Sequence, residues 1–197
     1  MLIGFIHGVM NTDNTTISGE TIDYGPCAFM NRFDPDTVFS SIDHGGRYRY
    51  SHQPPIAELN LTRLAESLLP LLATDEDAVP AAIESLREVL ATFTPRFRAA
   101  WSRGMADKLG LIDARNDELF DGLVDAMRAD AADLTITFRL LADELRRSEQ
   151  IVSPPLPHGD AVDAWIDGWR AQLAIEGRPA TVVADAMDAV NPVYVPR

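Results

Sequence analysis

Two adjacent prolines, Pro54 and Pro55, divide this chain into parts that obey different folding rules. Proline has no amide proton to donate, so it is tolerated in a helix only in the first turn, where the amides lack partners anyway. After the pair, Ile56, Leu59, Leu61, Leu64, Leu68 and Leu71 recur at helical spacing as far as Thr74. Thr74 or Asp75 caps a second helix with a stripe of Val79, Ile83, Leu86, Val89 and Leu90. Pro95 breaks or bends the path. Phe97, Trp101 and Met105 then carry it on at four-residue steps to Leu109, and Gly110 closes the element.

The helical signal persists downstream. Asn116-Asp117-Glu118 opens a helix bearing Leu119, Leu123 and Met127. Thr135-Ile136-Thr137-Phe138 alone would suggest a strand, but its flanks place it in a helix over residues 134–145. A proline-rich loop covers residues 153–159. Asp160 caps a helix with Trp165, Ile166, Trp169 and Leu173 on one face, closed by Gly177, and residues 181–190 form a last one before Asn191-Pro192. Asp117, Asp121, Asp125, Asp130 and Asp133 read as a solvated helix face. Residues 1–55 differ, being rich in Gly, Asn, Asp, Thr and aromatics. The expected organisation is a segment over residues 1–55 and a helical body over residues 56–197, together one structural domain that is mainly α.

Charge narrows the function classes. Asp and Glu number 30 against 17 Lys and Arg, a formal net charge of −13. Nucleic-acid phosphates and anionic membrane surfaces call for clustered cations, so neither is an expected partner. The one cysteine, Cys27, excludes an intrachain disulfide and a Cys-rich zinc site. No apolar run approaches the roughly 20 residues of a membrane span, and the first residues lack the pattern of a signal peptide. A cytoplasmic protein is expected. Lys108 is the single lysine.

The chemistry-bearing residues cluster near the amino terminus. His7-Gly8-Val9-Met10-Asn11-Thr12-Asp13-Asn14 has the length and ends of the kinase catalytic loop H-R-D-x-x-x-x-N, with Val9 where the kinase Asp stands. Residues 15–22 alternate around a Gly, which predicts a hairpin with its turn at Ser18-Gly19-Glu20. That hairpin delivers Asp23-Tyr24-Gly25, the form of D-F-G with Tyr for Phe, and brings Asn14 and Asp23 to the same end. An amide oxygen and a carboxylate held together suit Mg²⁺, which prefers oxygen ligands and bridges nucleotide phosphates. A polar loop beside a structural hairpin is the alternative. His7 is expected to be structural, and Arg47 to anchor its segment by pairing with an acid.

The first block, with Thr21-Ile22-Asp23-Tyr24-Gly25-Pro26, resembles the selenoprotein-O family of pseudokinase-like protein adenylyltransferases. Asp43-His44-Gly45-Gly46-Arg47-Tyr48 with Gln53-Pro54, Asn60-Leu61, Lys108-Leu109-Gly110-Leu111, Thr137-Phe138-Arg139 and Asn191-Pro192-Val193-Tyr194-Val195 extend the likeness along the chain.

The resemblance implies a kinase-like fold that transfers AMP from ATP to Ser, Thr or Tyr hydroxyls of proteins. Asn14 and Asp23 match the family's Mg²⁺ and nucleotide ligands, and Asp13 its general base. It further implies that this chain is the helical carboxy-terminal lobe with a short β-hairpin. The strand-rich amino-terminal lobe with its phosphate-binding Lys is absent, since the catalytic loop begins at residue 7. Such a fragment is expected to be inactive alone and to need that lobe, in trans if not in one chain. A non-catalytic remnant or a partner-binding helical domain is the alternative.

Overall fold

A computed structural model describes residues 1–20, 22–148 and 159–196. They form two compact units: Ile6–Cys27 with Asp36–Ala99, and Met1–Phe5 with Ala28–Pro35 and the chain from Ala100 onward. The chain is mainly helical, with one small antiparallel sheet near the amino terminus, as expected. In that sheet β1 (Phe5–Ile6) pairs with β2 (Ala28–Phe29), so the strands stand outside the segment they enclose. The tight turn inside the segment falls on Thr16–Gly19, where Gly19 N–H donates to Thr16 O at 3.2 Å, slightly earlier than the sequence suggested. The reason is local competition for hydrogen bonds. Thr16 Oγ1 donates to Glu20 O at 2.7 Å and Ser18 Oγ to the Glu20 carboxylate at 2.8 Å.

In the unit containing the amino-terminal motifs, α1 (Gln53–Leu72) starts at the double proline as expected and packs on α2 (Val79–Ala91). Asp75, rather than Thr74, supplies the cap between them, accepting from Ala78 N–H at 2.9 Å. The α1 stripe is only partly core. Ile56 and Ala65 are buried, whereas Leu68 and Leu71 are 38% and 76% exposed.

The second unit carries most of the apolar core. α3 (Phe93–Lys108) runs into it, followed by α4 (Asp117–Ala129), α5 (Leu134–Ser148), α6 (Asp160–Glu176) and α7 (Ala180–Val190). α4 packs on α6 and α5 on α7, burying Phe120, Leu123, Phe138, Leu141, Trp169 and Met187. Thr135 and Thr137 are helical because Asp133 Oδ1 accepts the N–H groups of Thr135 and Ile136 at 3.0 and 2.9 Å.

Asp160 is the first residue of α6 rather than its cap. The capping falls to Asp130, whose carboxylate takes the N–H groups of Ala161 and Val162 at 3.3 and 2.9 Å. Asp130 and Asp133 are therefore capping residues and not merely a solvated face. Gly110 adopts φ +69°, and a Cβ there would lie 2.4 Å from Val183 Cγ1. Lys108 is 4% exposed, its Nζ donating to Asn191 Oδ1 at 2.6 Å and lying 3.9 Å from the Phe138 ring centre. Burial pushes its pKa down to about 8. The proline-rich loop lies outside the described residues apart from Gly159. Among the described residues no helix is long and apolar enough to cross a membrane.

Candidate active site

His7 organises the site. It is 5% exposed, and its backbone N–H donates to Gln53 Oε1 at 3.0 Å. Its Nδ1 accepts from Val9 N–H at 3.3 Å, which assigns the ring proton to Nε2, 2.7 Å from Ile22 O. With both nitrogens engaged, the ring acts as a strut between the two motifs, in keeping with the structural role expected of it. It ties Ile22, the residue before Asp23, to the start of the loop at Gly8. Gly8 itself has φ +84°, and a Cβ there would stand 2.9 Å from Pro26 Cγ. Only glycine lets the Asp23-Tyr24-Gly25-Pro26 turn approach this closely.

α1 holds the loop from the other side. Asn60 is buried, and its Nδ2 donates to Met10 O at 3.0 Å and to Thr15 Oγ1 at 2.8 Å. Gln53 and Asn60 lie seven residues apart, two helical turns, and therefore on one face. The loop is also tied to the Asp43 segment, since Tyr48 Oη donates to Asn11 Oδ1. The Asp43 carboxylate in turn accepts the N–H groups of Arg47 and Tyr48, each at 2.8 Å. Sequence reasoning assigned no role to Gln53, Asn60 or Tyr48. For Gln53 and Asn60 the available signal was a polar residue on an apolar helical stripe.

Within this frame Thr12–Asn14 forms one 3₁₀ turn carrying both Asp13 and Asn14. Asn14 is half-buried, and its Nδ2 donates to Val9 O at 3.1 Å, which leaves Oδ1 as an acceptor without a donor among the described residues. Asp23 is exposed, with φ +55°, a conformation Asp tolerates better than most residues. An available amide oxygen and an exposed carboxylate fit Mg²⁺, which takes one or two protein oxygens and completes its shell with phosphate and water. Among the described residues no group of three or more His, Cys, Asp or Glu forms a cage.

Asp13 borders a cleft of about 940 Å³ together with Asn11, Thr12, Arg47, Asn60, Arg63 and Leu64, and neither Asn14 nor Asp23 is in that lining. Arg47 departs from expectation, because no acid pairs with it among the described residues. Its guanidinium lies 5.6 Å from the centre of the Tyr48 ring.

The family model described as protein adenylyltransferase SelO matches residues 1–197. The chain belongs to the SelO family. Its SelO-family relatives include the protein nucleotidyltransferase YdiU of Rhodococcus jostii (strain RHA1), 52% identical over 199 residues that cover 100% of this chain and 38% of that protein. The YdiU protein of Rhodopseudomonas palustris (strain BisB5) is 50% identical over 205 residues, 100% of this chain and 40% of its own length. That of Cereibacter sphaeroides (strain ATCC 17029 / ATH 2.4.9) is 51% identical over 199 residues, with 100% and 39% covered. The chain therefore spans about two-fifths of the length of the curated SelO-family relatives it matches.

Proposed function

We propose that this chain carries the metal-binding and proton-accepting half of a protein adenylyltransferase, which transfers AMP from ATP to a Ser, Thr or Tyr hydroxyl. The observation that carries the reading is the His7 strut. It bonds Ile22, the neighbour of Asp23, to the residue that precedes the loop bearing Asp13 and Asn14, and this link between the two motifs supports a shared role for the three. Family membership supports the choice of nucleotidyl transfer.

In this reading Asn14 Oδ1 and the Asp23 carboxylate hold Mg²⁺, which when bound neutralises triphosphate charge and favours departure of pyrophosphate. Asp13 takes the acceptor's hydroxyl proton as the hydroxyl oxygen forms its bond to the α-phosphorus. The bond from that phosphorus to the β-phosphate oxygen breaks as this happens. Gln53, Asn60 and His7 keep the three residues in place, which is the positioning contribution such chemistry depends on. The reaction is assigned to the cytoplasm, consistent with a single cysteine in the chain.

Residues 1–197 alone are expected to transfer nothing. In kinase-like enzymes a lysine grips the triphosphate, and Lys108, the single lysine, is committed to Asn191 in the other unit. A nucleotide-binding lobe, fused or supplied in trans, would complete the enzyme. The test is incubation with ATP labelled at the α- or the γ-phosphate, with and without that lobe taken from a full-length relative. Label from the α-phosphate alone, abolished by Asp23→Asn, is expected in the complemented enzyme. Incorporation of γ-label would replace adenylyl transfer by phosphoryl transfer.

A further inference from the structure

Resting on the reading of Asp13 as proton acceptor, we infer that the cleft beside Asp13 seats the acceptor polypeptide, and that Arg47 selects hydroxyl residues flanked by acidic ones. The first support is the lining of the cleft. A proton acceptor must face the hydroxyl, while metal ligands must face the triphosphate. The cleft includes Asp13 and excludes both Asn14 and Asp23. Its volume, about 940 Å³, is ample for several residues of an extended chain.

Charge supplies the second support. The chain carries −13 overall, yet the charged residues of the cleft are Asp13, Arg47 and Arg63, two cations to one anion. Arg63 is already engaged by Glu66, at 2.7 and 3.0 Å. Arg47 has no carboxylate partner among the described residues. A cation left unpaired in an acidic protein, at the wall of a cleft, is complementary to an acidic ligand.

Arg47 is also held in place relative to Asp13. Its backbone N–H is bonded to the Asp43 carboxylate, and its guanidinium rests on Tyr48. Tyr48 is bonded through its hydroxyl to Asn11, the residue that leads into the Thr12–Asn14 turn. The cation and the base thus share one bonded frame, as a selector of flanking sequence requires.

The test uses residues 1–197 and fluorescent eight-residue serine peptides flanked by Glu, by Lys or by Ala, read by anisotropy at low salt. The Glu-flanked peptide should bind at least tenfold tighter than the Lys-flanked one. Arg47→Glu should invert that order, an outcome a folding defect cannot produce, and far-ultraviolet dichroism verifies the fold. Equal binding of the three peptides, or an unchanged order in Arg47→Glu, would overturn the inference. Competitive displacement of the peptide by metal-free ATP would also overturn it and make the cleft a phosphate seat. In the complemented enzyme, Arg47→Ala should raise KM for the Glu-flanked peptide about tenfold with kcat within twofold. Transfer of α-label without any flanking preference would defeat this inference and leave adenylyl transfer standing. Charge-dependent peptide binding without α-label transfer would do the reverse.

Discussion

Burial of Lys108 should leave a readable mark on the pH dependence of stability. In the unfolded chain its amine titrates at its ordinary value of 10.5, and in the folded protein burial pushes it down to about 8. A folded pKa below the unfolded one means that the unfolded state binds the proton more tightly between these values. Stability from this group is therefore fully present above 10.5 and is lost as pH falls through 8. At about 1.36 kcal/mol per pH unit the full span is roughly 3 kcal/mol, of which about 2 kcal/mol should be gained between about pH 7 and about pH 9.5. The comparison stops there because Tyr50, pushed up to about 12 by burial, begins to act with the opposite sign near its ordinary value of 10.

The assay is urea unfolding followed by tryptophan fluorescence, since buried Trp169 donates to Leu109 O, next to Lys108, at 3.0 Å. Lys108→Met removes the titration and leaves other pH effects in place. Wild type should gain about 2 kcal/mol relative to Lys108→Met over this range. Parallel stability curves for the two proteins would refute the argument, and would mean that Asn191 and the Phe138 ring keep the amine charged at no net cost.

Three further outcomes follow from the geometry. Asn60→Ala strips Met10 O and Thr15 Oγ1 of their donor and should cost about 1–3 kcal/mol, with limited proteolysis appearing first near residues 11–19. Gly110→Ala combines a positive φ with a contact 2.4 Å from Val183 Cγ1 and should cost more than about 2 kcal/mol, read as a fall in Tm; an unchanged Tm would contradict the packing described. Asp130→Ala removes the cap of α6 and should cost about 1 kcal/mol, with amide exchange accelerated at Ala161 and Val162 but not at Met127.

The helices were legible because their signals are local. Pro54-Pro55 marks the start of α1, and Asn116 opens α4, accepting from Leu119 N–H at 3.3 Å. Gly177 closes α6 in the left-handed conformation. The strand-like Thr135-Ile136-Thr137 was read correctly only because its flanks outweighed its own propensities, and the cap from Asp133 explains why the flanks prevail. What pattern could not supply was which face of an apolar stripe finds a partner, hence the exposure of Leu68 and Leu71.

The candidate site divides in the same way. Spacing alone singled out Asn14 and Asp23, and the resemblance added Asp13. The bonds that assemble them join residues far apart in sequence: His7 to Gln53, Asn60 to Met10, Tyr48 to Asn11. Each is a side-chain bond set by tertiary geometry, and no periodicity announces such a bond. That Arg47 pairs with no acid among the described residues has a related reason, since a sequence does not reveal which acid stands within reach.

The two grips on α1 act as a caliper. Gln53 holds the loop at His7, and Asn60 holds it at Met10 and Thr15. The span between the jaws is set by the rise of a helix, about 1.5 Å per residue, with a rotation of about 100° for each residue. A single insertion or deletion between 53 and 60 would swing one jaw about a quarter-turn off the loop. The exposed turn at residues 16–20 lies outside the jaws and can lengthen without loosening either. The length of this stretch of α1 is therefore a dimension of the candidate loop, written into a helix that supplies none of the candidate site's three chemical groups.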